Sequence, residues 1–339
     1  MALVGAGAVA QRHARVLSDL AGVEVVAVAD PVTEAAQELA DEVGARAYED
    51  AEQALDASPV DGVYVCVPPF AHGPAEEAAL SRGLPLFVEK PVALNLATAE
   101  ALARRVEEVG VVTGTGYHWR CLDLVESARK ELADSPPLMA SGYWLDKRPP
   151  VAWWGQVDRS GGQVVEQLTH ILDVARLLLG EAVEVYAAGA FDDAAAQLHS
   201  NGSNVRVSVD DATAATVRFA SGAVATFAAT SVLASKHRAA LHTVSRGLLL
   251  ELSETCLISD DGFHRLERVA GEDPKVTVDA EFIAAVRGEL GATRVPYAEA
   301  VRTQRLACAI AESAATGQRV VLNGRAAPAG AAVGAESGR

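Results

Sequence analysis

Positive charge is scarce in this sequence of 339 residues. Lysine and arginine together number 29, against 45 aspartates and glutamates, which gives a formal net charge of −16 and a pI of about 4.9. A surface of this kind repels phosphate backbones and anionic lipid head groups. We therefore expect neither nucleic acid nor a membrane as a partner.

Cysteines, long apolar runs and metal-ligand spacings are also rare or missing. The four cysteines are scattered without a C-x-x-C pair, and the eight histidines show no H-E-x-x-H spacing. We expect no disulfide and no metal site. No apolar run approaches the roughly 18 residues that a membrane span needs. Met1 leads directly into a strand without a signal-like segment, so the expected location is the cytoplasm.

The length and the order of patterns predict two domains. Up to residue 118, uniformly apolar strands alternate with helical patterns, which is typical of a doubly wound α/β domain with a parallel sheet. Residues 119–322 are rich in strand patterns, with a hairpin predicted over 212–230, and favour an open, mostly antiparallel sheet in an α+β domain. A sheet with one face to spare is a common route to dimers. Residues 323–339, rich in alanine and glycine, are expected to be a disordered tail.

A glycine-rich turn follows the first apolar segment. Ala2-Leu3-Val4 leads into a G-x-G-x-x-A pattern at a strand-to-helix junction. In dinucleotide-binding domains the first glycine allows the tight turn, the second lets backbone approach the pyrophosphate, and the small third residue permits close helix packing. The helix N-terminus supplies free N–H groups for the phosphates. The candidate cofactor-binding residues here are Gly5, Gly7, Ala8, Val9 and Ala10.

Asp30 ends the next strand pattern, about twenty residues beyond the glycines, where the dinucleotide fingerprint places an acid. Such a carboxylate accepts hydrogen bonds from ribose hydroxyls and repels a 2′-phosphate. No lysine or arginine follows in Pro31-Val32-Thr33, so the sequence favours NAD over NADP. The alternative is that Asp30 only caps the helix that starts near Thr33. Arg12 would bind a 2′-phosphate if NADP were preferred, but we expect it to be a solvent-exposed helix residue.

Two polar segments follow later strands of the predicted parallel sheet. Pro68 to His72 comes after one apolar strand, and Glu89-Lys90-Pro91 comes after the next. Because ligands lie outside the carboxyl ends of such strands, Pro68, His72, Glu89 and Lys90 are candidate cofactor contacts. An ammonium group at Lys90 could also stabilise alkoxide character on a reacting hydroxyl. The alternative is a surface lysine beside a turn proline.

A helix predicted over Gln163–Leu179 carries a second polar group. Glu166 and His170 are four residues apart and would share one helix face, with Asp173 near them. His170 is suited to accept a hydroxyl proton, since histidines titrate near neutral pH. Glu166 would orient the imidazole or bind a substrate hydroxyl. The alternative is that His170 is structural, as a lone helical histidine usually is.

An irregular loop over 147–162 precedes this helix and contains Trp153 and Trp154, with Trp144 just upstream. Exposed aromatic faces beside a polar cleft suit the C–H faces of a sugar ring. Burial in the core or in a subunit interface is the alternative. Trp153 is a candidate substrate contact.

Together these motifs resemble the Gfo/Idh/MocA oxidoreductases, the family of glucose–fructose oxidoreductase and inositol dehydrogenase. The resemblance runs from about residue 2 to residue 322. It rests on the glycine turn, the Pro68–His72 turn, Glu89-Lys90-Pro91, Gly161-Gly162, the helix with Glu166 and His170, and the hairpin. It implies a Rossmann domain, followed by an open sheet that often joins subunits into homodimers or homotetramers. It also implies that Lys90 and His170 are catalytic, assisted by Glu166.

The chain departs from the family pattern at four positions near the expected site. Glu166 replaces a usual aspartate, Pro69 and His118 stand where asparagine is common, and Leu168 replaces a frequent glycine. These departures bear on the substrate more than on the chemistry. The candidate substrate-binding residues are Lys90, His118, Arg120, Trp153, Glu166 and His170.

The resulting hypothesis is an NAD-dependent dehydrogenase that acts on a secondary alcohol of a sugar, sugar derivative or cyclitol. His170 would take the hydroxyl proton while Lys90 stabilises the developing oxyanion. One alternative is a non-catalytic, NAD-binding sugar sensor or regulator. Another is an enzyme that retains its NAD and uses it for transient sugar oxidation.

Overall fold

The computed structural model describes residues 1–192, 197–200 and 203–322. The tail predicted for residues 323–339 lies outside the described residues. Within them, no helix is both long and apolar enough to cross a membrane.

Six parallel strands of three residues each form the first sheet. Every side chain in five of them is buried, as expected for strands covered by helices on both faces. The strand order is β3-β2-β1-β4-β5-β6, which reverses between β1 and β4 and leaves a crevice at the carboxyl ends. The strands are β1 (Ala2–Val4), β2 (Ala27–Ala29), β3 (Arg46–Tyr48), β4 (Val63–Val65), β5 (Leu86–Val88) and β6 (Thr113–Thr115).

Five helices connect these strands and pack on both faces of the sheet. Asp50 and Asn95 begin two of the helices by accepting backbone N–H groups three residues ahead. The helices are α1 (Ala8–Asp19), α2 (Thr33–Val43), α3 (Ala51–Ala57), α4 (Pro74–Ser81) and α5 (Leu96–Val109).

The second sheet has nine strands within the described residues, in the order β16-β15-β14-β13-β7-β12-β11-β8-β17. Only β7 and β12 pair in parallel; the other neighbours are antiparallel. Its strands are β7 (Met139–Leu145), β8 (Ala182–Ala190), β11 (Ala212–Phe219), β12 (Val224–Thr230), β13 (Arg238–Ser245), β14 (Leu248–Ser253), β15 (Cys256–Asp260), β16 (Arg265–Val269) and β17 (Val320–Val321), while β9 (Gln197–Ser200) and β10 (Ser203–Arg206) form a separate hairpin. The predicted fold class, a doubly wound parallel sheet followed by an open, mostly antiparallel one, is confirmed.

One face of this sheet is buried under helices and the other is open. Along β11 and β12 buried and exposed residues alternate, with Val217 and Phe227 on the buried face. The remaining helices are α6 (Asp123–Ala133), α7 (Val157–Ser160), α8 (Thr169–Leu179), α9 (Pro274–Val286) and α10 (Tyr297–Thr316). Helices α6, α8 and α10 contribute side chains to the same core as the buried face.

The chain returns to the first domain near its end. Phe282 and Ile283 of α9 lie in one core with Leu3, Tyr64 and Phe87 of the parallel sheet. The sequence pattern assigned all of 119–322 to the second domain. Helix α9 nevertheless packs on the first sheet, where Phe282 contacts the rings of Tyr64 and Phe87.

Candidate active site

A cavity of about 730 Å³ opens at the carboxyl ends of the parallel strands, where the strand order reverses. The second domain contributes Val151, Trp153 and Glu166 to its walls. Ligands of doubly wound sheets bind at this place. Of the predicted cofactor residues, those that line the cavity are Gly5, Gly7, Ala8, Val9, Asp30, Pro68, Glu89 and Lys90.

The glycine turn fits a phosphate group. Gly5 has a φ of +97°, and a Cβ on it would lie 2.4 Å from the carbonyl oxygen of Cys66, so no other residue fits there. Gly7 begins α1 without a side-chain cap, and a Cβ on it would meet no atom within 4 Å. Free N–H groups at a helix start, with open space before them, bind anions. Ala10 lies behind the turn and is fully buried.

Asp30, at the end of β2, stabilises this turn through a hydrogen bond. Its Oδ2 accepts the N–H of Ala6 at 2.8 Å, and its Oδ1 accepts the N–H of Val32 at 2.8 Å, just before α2. Asp30 therefore holds the backbone ahead of α2 but does not cap the helix, whose N-cap residue Val32 has no side-chain hydrogen bond. It also lines the cavity, and each carboxylate oxygen has a further lone pair for a ribose hydroxyl.

Lys90 and Glu166 meet across the two domains. Lys90 Nζ donates to Glu166 Oε1 at 2.6 Å and to the Glu166 carbonyl oxygen at 2.7 Å. Both side chains are largely buried, with 17% and 14% of their surface exposed. The peptide bond between Lys90 and Pro91 is cis. Lys90 is thus a partner of the second domain and not a surface lysine beside a turn.

Glu166 lies in a π-helical turn over Val164–Leu168, ahead of α8, and not in one continuous α-helix as predicted. Such turns are frequent at functional sites. The carboxylate is directed to Lys90 and to the indole of Trp154, whose Nε1 donates to Oε2 at 2.8 Å. Within the described residues Glu166 makes no hydrogen bond to His170, so it does not orient the imidazole.

His170 is buried among aromatic rings. Its ring lies 4.6 Å from that of His118 and 5.7 Å from that of Trp144, between ring centroids. Its Nδ1 has no hydrogen-bond partner among the described residues. Burial is the main cause that lowers the pKa of His170 well below its usual value, and the nearby His118 and Lys90 add to this effect. His170 is therefore a neutral imidazole at physiological pH. It does not line the 730 Å³ cavity, whereas Glu166, four residues earlier, does.

His118 follows the last strand of the parallel sheet, in a short 3₁₀ turn, and packs edge-on against His170. Burial lowers the pKa of His118 to about 4. The two rings are thus neutral and lie in a buried environment of low dielectric constant.

Arg120 forms a buried ion pair and does not line the cavity. Its Nε and Nη2 donate to the two oxygens of Asp173 at 2.7 and 2.9 Å. Thr303 also donates to Asp173, at 2.6 Å. The carboxylate of Asp173, which the sequence placed near Glu166 and His170, is thus held by Arg120. This pair joins the segment after β6 to α8 and α10.

His72 also lies outside the cavity lining. Its Nδ1 is 2.5 Å from Glu76 Oε1, while Glu76 Oε2 accepts the N–H of Gly73 at 2.7 Å. The side chain of His72 thus stabilises the start of α4. A direct contact between His72 and the cofactor stays a prediction.

The three tryptophans near the site have different environments. Trp154 and Trp144 are buried, as the core alternative predicted, while Trp153 is half-buried and lines the cavity. Arg159 of α7 lies over the ring of Phe70, 4.6 Å from its centroid, and connects the second domain to the turn after β4.

Sequence reasoning missed a group of charged residues beneath the Glu-Lys-Pro turn. Arg12 Nη2 donates to Glu89 Oε1 at 2.8 Å, so Arg12 is not the free surface residue that was expected. His13 lies between Glu89 and Asp279 and is fully buried. The spacing of three residues from Ala10 on the same helix is the signal that could have shown that His13 faces inward; no sequence signal connects it to Asp279.

Two family models match the chain. A model described as an oxidoreductase family with an NAD-binding Rossmann fold matches residues 1–117. A model of the GFO/IDH/MocA C-terminal domain matches residues 136–247.

Similar proteins of known activity cover part of the chain. It is 29% identical over 187 residues to scyllo-inositol 2-dehydrogenase (NAD(+)) of Bacillus subtilis (strain 168), which covers 54% of each chain. It is 31% identical over 185 residues to inositol 2-dehydrogenase of Rhizobium meliloti (strain 1021), which covers 53% of this chain and 54% of the other. The chain thus spans about half the length of these curated relatives.

Solved structures extend the likeness of fold. A levoglucosan dehydrogenase in complex with NADH and levoglucosan superposes with a TM-score of 0.83 at 20% identity, over 95% of this chain and 99% of that one. An NAD binding oxidoreductase from Klebsiella pneumoniae has a TM-score of 0.81 at 22% identity, over 94% and 97%. Both domains therefore have the same arrangement as in these proteins.

Proposed function

The chain belongs to the Gfo/Idh/MocA oxidoreductase family, and we propose that it is an NAD-dependent dehydrogenase acting on a secondary alcohol of a sugar, sugar derivative or cyclitol. The observation that carries the proposal is the position of Lys90. Its ammonium lies in the wall of the cavity that the glycine turn and Asp30 also line, 2.6 Å from Glu166. A fixed cation beside a dinucleotide site is suited to an alcohol whose oxygen gains negative charge.

The residues that would hold NAD are those of the first domain. The uncapped start of α1 would bind the phosphates, and Asp30 would bind ribose hydroxyls while repelling a 2′-phosphate. When bound, NAD supplies the acceptor for the hydride of the alcohol carbon. The negative charge of Asp30 supports the preference for NAD over NADP.

The remaining chemistry belongs to Lys90 and His170. Two of the three N–H groups of Lys90 donate to Glu166, so one is left to donate to the substrate oxygen. His170, held neutral by burial, would accept the hydroxyl proton. Glu166, which belongs to the second domain and contacts Lys90 of the first, would accept a hydrogen bond from a neighbouring hydroxyl of the substrate.

The proposed substrate class rests on two residues of the cavity wall and on the relatives. Glu166 and Trp153 line the second-domain side of the cavity, which suits hydroxyls on one side and a C–H face on the other. The two relatives described above act on inositols by their names. His118 and Arg120 remain proposed substrate residues, although Arg120 reaches a substrate only if its pair with Asp173 rearranges.

A homodimer or homotetramer through the open face of the second sheet is part of the proposal. Tyr186 on that face is 54% exposed, and its neighbours on β11 and β12 are mainly small residues such as Ala214 and Ala228. A flat, weakly charged sheet face suits isologous packing against a second copy. Light scattering should show an oligomer that Tyr186→Glu weakens. We also propose a cytoplasmic location.

The test is a screen of sugars and polyols that follows NADH absorbance, after retained cofactor has been measured. We expect turnover with at least one polyol, abolished by Lys90→Ala and by His170→Ala, while NADH still binds. Lys130→Ala, at an exposed lysine of α6, is the matched control. Undiminished turnover in both site variants would remove this mechanism. Tight NADH binding without any turnover would favour the sensor, and NAD(H) in the purified protein would favour the retained-cofactor enzyme.

A further inference from the structure

Three ionisable residues form a buried chain beneath the Glu89-Lys90-Pro91 turn. Asp279 of α9, His13 of α1 and Glu89, which we call the buried triad, are 0%, 0% and 5% exposed. The first two come from helices that are distant in sequence. None of the three has a part in the reaction as proposed above.

The triad is connected by short hydrogen bonds. His13 Nδ1 lies 2.7 and 2.9 Å from the two oxygens of Asp279, and its Nε2 lies 2.9 Å from Glu89 Oε1. The rings of Tyr64 and Phe87 lie 5.2 and 5.1 Å from the imidazole and restrict its orientation. With a carboxylate at each ring nitrogen, a protonated imidazole would bridge two negative groups. Burial opposes the charged imidazole, but the hydrogen bonds to Asp279 and Glu89 outweigh it and raise the pKa of His13, while burial raises the pKa of Asp279.

Glu89 connects this chain to Lys90. Its Oε2 accepts the backbone N–H of Lys90 at 2.9 Å. Its Oε1 is held by Arg12 and His13. The carboxylate lies so close to Gly116 that a Cβ there would come within 2.3 Å of Oε2. Arg12, His13 and Gly116 thus confine the carboxylate. Its Oε2 holds the backbone N–H of Lys90, the next residue.

We propose that Asp279, His13 and Glu89 are positioning residues that fix the backbone of Lys90, and with it the ammonium group, in the cavity. This inference rests on the proposed function of Lys90. A purely packing role explains the arrangement less well, because burying several charges is costly compared with an apolar core of the same volume. Groups that orient a catalytic side chain through hydrogen bonds are a general requirement of precise sites.

The test uses Asp279→Asn and His13→Gln, since neither residue lines the cavity. Their hydrogen bonds connect them to Lys90 through Glu89. Asp19→Asn, an exposed acid on the helix that carries His13, is the control. We expect kcat to fall about 10- to 100-fold in the two triad variants, the range found when outer partners of functional groups are removed. The Kd for NADH should stay within about twofold, because the glycine turn and Asp30 are untouched.

A second readout does not depend on activity. Lys90 should be methylated slowly by formaldehyde and a borane reductant in the wild-type protein, since only 17% of its side chain is exposed. In both triad variants we expect its labelling, quantified by mass spectrometry, to be at least about threefold faster as the lysine loosens. Lys130, with 75% of its side chain exposed, provides the internal reference.

The outcomes separate this inference from the proposed function. Unchanged kcat and unchanged Lys90 labelling in folded Asp279→Asn and His13→Gln would overturn the positioning role. A lower melting temperature with unchanged labelling would also overturn it and assign the triad to stability alone. If either variant gives too little folded protein, Glu89→Gln keeps the shape and takes its place, with kcat and Lys90 labelling as its readouts because Glu89 itself lines the cavity. Full activity of Lys90→Ala would instead overturn the proposed function, while the labelling still reports on the triad.

Discussion

Replacing Trp154 by phenylalanine isolates one hydrogen bond of the candidate site. The indole N–H of Trp154 donates to Glu166 Oε2 at 2.8 Å, while Lys90 occupies Oε1. The ring itself is fully buried against Val207 and Val209. Phenylalanine keeps most of this packing but removes the donor. Glu166 then loses the contact that fixes it relative to Lys90.

The size of the effect follows from the charge and burial of Glu166. A hydrogen bond to a charged group contributes about 1.5–3 kcal/mol. Only 14% of the Glu166 side chain is exposed, so water replaces the lost donor poorly. If the whole free energy of this hydrogen bond is lost from the transition state because Glu166 is misplaced, kcat/KM falls by about 10- to 150-fold, since about 1.4 kcal/mol is tenfold. NADH binding should not change, because Trp154 does not line the cavity.

The assay compares Trp154→Phe with Trp119→Phe, using the best polyol from the screen. Trp119 is equally buried, but its Nε1 has no partner among the described residues. Both variants should lose some thermal stability through the smaller ring, and only Trp154→Phe should lose activity. Equal kcat/KM in the two variants would refute the assignment of this hydrogen bond to the site.

Three further predictions concern other parts of the molecule. Gly5→Ala should abolish NADH binding or folding, measured by fluorescence titration and circular dichroism, because its Cβ would lie 2.4 Å from the Cys66 carbonyl oxygen. The acid limb of kcat/KM should lie below pH 6.5, since burial lowers the pKa of His170 and the base stays neutral until the pH falls to that lowered value; a limb above pH 7 would contradict it. Asp173→Asn should lower the free energy of unfolding by about 3–5 kcal/mol in urea, because the buried Arg120 guanidinium loses its carboxylate; a loss below about 1 kcal/mol would show that the pair contributes little.

The first domain could be predicted in detail because its signals are local. The glycine turn, the apolar strands and Asp30 are each read within a few residues, and the chain has few ways to join them. The cavity at the strand ends follows from that topology, as does the presence of Lys90 in its wall. The hairpin over 212–230 was predicted for the same reason, since alternation and a glycine turn suffice to define it.

The contacts that span the chain could not be predicted in this way. His13 and Asp279 are 266 residues apart, and neither has a motif around it. The π-helical turn at Glu166, whose side chain contacts Lys90 and Trp154, cannot be derived from a helical periodicity. The sequence of helix α9 predicts only a helix, and its packing on the first sheet joins residues far apart in the chain.

The candidate site separates the positive charge of Lys90 from the proposed base, His170. The carboxylate of Glu166 is directed to Lys90, so the ammonium is paired while His170 has no carboxylate partner at Nδ1. An imidazole without such a partner, surrounded by His118 and Trp144, is a weak base. It can deprotonate an alcohol only if the oxygen's negative charge is stabilised at the same time, which requires a fixed cation beside the substrate. The proposed reaction therefore depends on the position of Lys90 more than on the basicity of His170, which gives a physical reason for the hydrogen bonds that converge on Lys90 from both domains.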